Sequence, residues 1–292
     1  MNEDDGRGLP ELADNRAMPP GDGNSHPAGF FGAPTDRLGR APVHVFRGPP
    51  RLRLANDWPP FAAVGAVLII LILSFVAGTA ASVVTLAMSD PSLPRDAVWP
   101  QLIALVTAQV VAIALVMLAA RFFSDSWIKA LALEGAGLRA RDYLLALGIM
   151  VAAMALFTGI VWLVDPSSMI EDLAPFRVFV RSDAWWLTLI AVGIGAPLME
   201  ELIFRGFLLT ALAKSRLGFA VSAVVTTVVW TALHASYSPA GLLAVFLVGL
   251  YLSWLVWRTG SLRVAIFCHA TYNLGVVLLL MFVEIPGAAT AG

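Results

Sequence analysis

A chain of 292 residues with 59% hydrophobic and only 13% charged residues is not a water-soluble globule; soluble domains run near 45–50% apolar and about 25% charged. The mean hydropathy of +0.80 says the same. A net charge of −1 leaves no electrostatic footprint for nucleic acid, and the single cysteine, Cys268, excludes a disulfide framework or a cysteine-rich metal site. The composition predicts an all-α polytopic membrane protein.

In chain order, residues 1–57 come first and differ from the rest. They hold seven of the 19 basic and eight of the 20 acidic residues, among dense Pro, Gly, Asp and Asn. No stretch there buries enough apolar surface to offset chain entropy, so a disordered cytoplasmic tail is expected. His26 and His44 fall in it and read as solvated side chains. Acidic residues after Met1, and no apolar run before residue 60, argue against a secretory signal.

Seven apolar blocks follow, about 61–87, 98–120, 142–164, 185–213, 219–236, 240–257 and 262–283. About 20 helical residues cross a ~30 Å hydrocarbon core, and lipid offers backbone groups no partner, so helices are the expected form. Trp58, Trp99, Trp185, Trp186, Tyr237 and Trp257 mark block edges, as at a headgroup layer. The stretch 121–141 mixes Trp127, Ile128 and Leu131 with Lys129, Arg139 and Arg141, a pattern for a helix lying in the interface. With about seven spans, 15 of the 19 Lys/Arg fall on the side of the N-terminus, against Arg95, Arg177 and Arg181 opposite. That sorting predicts a cytoplasmic N-terminus in a cell (plasma or inner) membrane. The expected organisation is a tail at 1–57, accessory helices and an interfacial segment at 58–183, a membrane core at 184–284 that carries the chemistry, and a short tail at 285–292.

Polar groups inside the spans concentrate between residues 200 and 273: Glu200, Glu201, Arg205, His234, His269 and Asn273. A charge at mid-bilayer costs on the order of 2.5–3.5 kcal/mol on insertion scales, so each needs a partner or a task. At 100° per residue, Glu201 and Arg205 are neighbours four apart and form an ion pair. Glu200 points away from both. A structural salt bridge needs one glutamate, and Glu200 is the surplus. Pro197 removes a helical hydrogen bond just upstream and is expected to kink this long span. His234 follows Trp230 by four residues, and Asn273 follows His269 by four. Taken singly, these groups suit interhelical hydrogen bonding; together they suit a site. Cys268 faces elsewhere and reads as packing. The chain has no His-Glu-x-x-His zinc run and no Gly-x-Ser-x-Gly elbow, which leaves glutamate and histidine chemistry.

At these residues the sequence resembles the CPBP family, the type II CAAX prenyl proteases and bacteriocin-processing or self-immunity proteins. Its three motifs stand here as Glu200-Glu201-Leu202-Ile203-Phe204-Arg205, Trp230-Thr231-Ala232-Leu233-His234 and His269-Ala270-Thr271-Tyr272-Asn273, with Trp230 where the family usually has Phe. The resemblance covers roughly 193–277. It implies an intramembrane endopeptidase in which Glu200, with His234, activates a water, and His269 and Asn273 stabilise the oxyanion. Glu201 would hold Arg205. No cofactor is then required; the alternative is a zinc ion on Glu200, His234 and His269. The implied partners are the lipid bilayer and a protein or peptide substrate. Two other classes compete: a non-proteolytic adaptor or immunity scaffold, and a proton-coupled transporter, which the absence of an inverted repeat disfavours.

At 1.5 Å per residue, His269 lies only about 9 Å beyond Arg263, whereas Glu200 lies about 20 Å from the Lys214–Arg216 turn. For the two to meet, either the last helix tilts strongly or the Arg258–Arg263 turn is recessed.

Overall fold

The computed structural model describes residues 49–89, 98–135 and 137–283, and among them every regular element is a helix. The helices are α1 (Pro60–Met88), α2 (Val98–Phe122), α3 (Trp127–Ala130), α4 (Ala140–Val164), α5 (Pro166–Val180), α6 (Trp185–Leu212), α7 (Gly218–Ala232), α8 (Pro239–Thr259) and α9 (Leu262–Phe282). Six of these, α1, α2, α4, α6, α8 and α9, are long and apolar enough to cross a membrane. The protein is an integral membrane protein. The remaining expected span, 219–236, takes the form of α7, apolar but 15 residues long. That length covers about 22 Å, short of a ~30 Å core, and the chain turns from Leu233 to Tyr237 before α8 begins.

Outer helices expose large apolar side chains, among them Leu68, Ile69, Ile72 and Phe75 on α1 and Leu156, Leu163 and Val164 on α4. Lipid accepts such faces; water would not. α6 is the opposite case, with every residue from Glu201 to Leu209 buried. Around it the core gathers Ile203, Phe204, Phe207, Leu252, Leu255, Leu262 and Trp58. Local sequence sets the ends of α8: the Ser238 hydroxyl accepts from the Gly241 N–H, Pro239 opens the first turn, and Gly260 closes the last at φ +69°.

Of the expected tails, residues 1–48 and 285–292 lie outside the described residues. The end of the N-terminal segment is tied down: the Arg51 and Leu52 N–H groups donate to the Trp257 carbonyl, and Lys214 Nζ donates to the Asn56 carbonyl. Trp58 is fully buried on Phe207, ring centroids 4.5 Å apart.

Two segments depart from expectation. The stretch 121–141 holds only the four-residue α3, and Ala130, Leu131 and Ala132 are buried. Its carbonyls take donors from the α8–α9 turn: Ala132 from Leu262 N, Glu134 from Ser261 Oγ and Leu133 from Arg263 Nε, each at 2.7 Å. The segment thus packs onto the α8–α9 turn, and Ser261 and Leu262 are fully buried. Of the two ways for His269 to reach Glu200, this burial of Ser261 and Leu262 fits a recessed turn. Second, the connection between α4 and α6 contains α5, opened by Pro166 after Asp165. Asp172 on α5 accepts both the Ser238 N–H and its hydroxyl at 2.7 Å, which anchors the α7–α8 loop.

Candidate active site

α6 is not one uniform helix. Leu189–Gly195 and Glu201–Leu209 close in the wider π-helical pattern, on either side of an α-helical turn at Ala196–Glu200. Pro197 explains part of this. The Ala196 N–H donates to the Ala191 carbonyl, five residues back, and Pro197 has no N–H to follow it onto Val192. Two other helices supply donors instead. Asn273 Nδ2 on α9 donates to the Val192 carbonyl at 3.3 Å, and Gln109 Nε2 on α2 donates to Ala191 at 3.0 Å. Pro197 thus replaces the simple kink with a re-registered helix that carries Glu200 and Glu201 at the junction.

The Glu201–Arg205 pair forms as the spacing requires, with Nη1 3.0 Å from Oε1 and both side chains sealed from solvent. The same Oε1 also receives His269 Nδ1 at 2.9 Å. A carboxylate only accepts, so Nδ1 carries the proton and Nε2 points away from Glu201. Nε2 lies 3.9 Å from Glu200 Oε2. Glu200 has its own donor: Trp230 Nε1 reaches Oε2 at 2.9 Å. It keeps a little exposure, 15% of the side chain, where Glu201 has none. His234, just beyond α7, approaches the Trp230 carbonyl with Nδ1 at 3.0 Å; carbonyls also only accept, so its Nε2 carries the lone pair.

Trp230 is the hub. The Arg205 guanidinium lies 4.2 Å from its ring centroid, a cation–π contact, and His234 and His269 stand edge-on at 5.1 and 5.6 Å. Sequence reasoning noted Trp230 only as an aromatic spacer; its N–H was the available signal. Two further residues were missed. Tyr237 stacks edge-on to His234 at 5.5 Å, and its hydroxyl is pushed up to about 12 by burial first and the Glu200 and Asp172 carboxylates next, so it stays a neutral donor at physiological pH. Gly249 on α8 is the other. A Cβ there would run into Thr227, Arg205 Nη2 and Trp230, so only glycine lets α8 close over the ion pair. Gly249→Val is expected to cost about 1–3 kcal/mol by overpacking, read as a lower Tm in detergent; an unchanged Tm would contradict this packing.

The alternative zinc set does not stand ready. Both histidines turn Nε2 away from their anchored Nδ1, but among the described residues no group of three or more His, Cys, Asp or Glu is gathered closely enough to hold a metal. Glu200, Glu201, Arg205 and His269 are brought together. His234 joins through Trp230, and Asn273, one helical turn beyond His269 on α9, is bonded to the re-registered stretch of α6.

No curated protein and no solved structure matches the chain. Residues 182–275 match the family model described as "Type II CAAX prenyl endopeptidase Rce1-like". The match begins just ahead of α6 and ends within α9, so it contains every residue of the three motifs and the hub that joins them. Such a match points to a CAAX-type intramembrane protease, and it coincides with the part of the bundle where buried charge collects. Over residues 182–275, about a third of the chain, the protein is similar to the Rce1-like type II CAAX prenyl endopeptidases.

Proposed function

We propose that this protein is an intramembrane endopeptidase that hydrolyses a peptide bond of a membrane-associated protein or a small peptide. The observation that carries the reading is the surplus carboxylate: Arg205 is already paired with Glu201, yet a second glutamate is held 3.9 Å from His269 Nε2. Glue needs no such group. A hydrolase does.

With Oε2 occupied by the indole, Glu200 has Oε1 free to take a proton from a water, and His234 Nε2 is a second acceptor for that water. The resulting hydroxide adds to the scissile carbonyl carbon. His269, oriented by its Nδ1–H on Glu201, serves as an oxyanion donor from Nε2. Asn273 uses one amide hydrogen on Val192 and offers the other to the oxyanion. Collapse of the tetrahedral intermediate breaks the C–N bond, and the proton held by Glu200 passes to the leaving amine. No cofactor takes part in this sequence. The site belongs to a multi-pass protein of the cell membrane, and the substrate meets it from the bilayer.

The test compares peptide termini of the membrane proteome in cells carrying wild type or Glu200→Gln at matched abundance. New termini found only with wild type are expected, and the residues flanking them would tell a prenylated C-terminus from other substrates. Identical termini, with the cellular phenotype kept by the variant, would favour the scaffold reading.

A further inference from the structure

We propose that Trp230 is the positioning residue for both halves of the water-activating pair, through two different atoms. Its indole N–H holds the Glu200 carboxylate across the α6–α7 interface at 2.9 Å, and its backbone carbonyl holds His234 Nδ1 at 3.0 Å. The side chain is itself pinned. It is 2% exposed, with Arg205 over its face and His269 at its edge, and Gly249 leaves it the space. A donor fixed this way selects one Glu200 rotamer before substrate arrives, so no reorganisation is needed during reaction. Phenylalanine, usual at this place in the family, would keep the ring packing and the carbonyl but lose the N–H. The tryptophan therefore ties the carboxylate to the same residue that sets the histidine, which phenylalanine could not do.

The kinetic part rests on the endopeptidase reading; the contact itself does not, and two measurements separate them. In Trp230→Phe, kcat should fall about 10- to 100-fold, as for loss of a hydrogen bond to a charged group. KM should stay within about twofold, since no contact with substrate is removed. Benzothienylalanine at position 230 keeps the bicyclic shape and removes only the N–H, so the same loss is expected there even if the phenylalanine variant folds poorly. The indole N–H resonance of Trp230, identified by its absence from Trp230→Phe among the nine tryptophans, should move upfield in Glu200→Ala. Wild-type kcat in the benzothienylalanine protein would overturn the positioning role. An indole resonance unmoved by Glu200→Ala would overturn the contact. A wild-type protein without hydrolytic activity would instead sink the endopeptidase reading, and the resonance would then decide the contact alone.

Discussion

Replacing Glu200 by Gln is expected to lower peptide-bond hydrolysis by about 10²- to 10⁴-fold, the range for loss of a positioned general base, with the helical bundle left intact. The size of the effect follows from the division of labour between adjacent glutamates. Glu201 is fully buried and its Oε1 is shared by Arg205 and His269. Glu200 touches neither at hydrogen-bond distance and takes its one bond from Trp230. The amide keeps the shape and still accepts from the indole, so Tm should stay near wild type while turnover collapses. Hydrolysis within about threefold of wild type would remove Glu200 from the chemistry.

Arg205→Ala should behave in the opposite way, losing protein as well as activity. Arg205 is the largest charged side chain sealed inside the bundle, bonded to Glu201 and lying on Trp230. Its removal leaves a buried carboxylate with only an imidazole for partner and opens a space beside the indole. Breaking one side of a buried pair costs about 3–5 kcal/mol, a large share of a typical total stability of about 5–15 kcal/mol. Yield of detergent-extracted protein and its Tm should both drop. Wild-type yield together with wild-type hydrolysis would show that Glu201 does not depend on Arg205.

The contrast between these two variants separates chemistry from architecture, and it tracks what could be read from the chain. Period and spacing were enough where local geometry decides. The apolar blocks place most helix ends within a few residues, and four-residue spacing pairs Glu201 with Arg205 and sets His234 one turn beyond Trp230. Contacts made across the fold were not legible. Nothing local says that Ala132, Leu133 and Glu134 would give their carbonyls to the α8–α9 turn, and the mixed charges of 121–141 suggest an interfacial helix only while those acceptors lack partners. α5 was missed because 166–180 is too polar to register as a span, although Asp165-Pro166 is a usable start signal. In the first π-helical stretch of α6, Leu189–Gly195, the carbonyls upstream of Pro197 are served by Asn273 and Gln109 arriving from other helices.

The same reasoning accounts for the roles within the cluster. From sequence, Glu201 has one partner; in the structure it has two, and His269 is oriented by it. Only the fold could supply that bond, since 68 residues separate the groups. The consequence is chemical. An imidazole anchored at Nδ1 presents a single nitrogen toward Glu200, with its direction fixed by a glutamate that Arg205 holds in place.

The most direct measurement reconstitutes purified wild type and Glu200→Gln in liposomes with a substrate recovered from the terminus comparison, in ¹⁸O-labelled water. The account predicts cleavage at one bond by wild type, one ¹⁸O in the new carboxyl terminus, and no cleavage by the variant above background. Cleavage by both proteins at equal rates, or by neither, would contradict it.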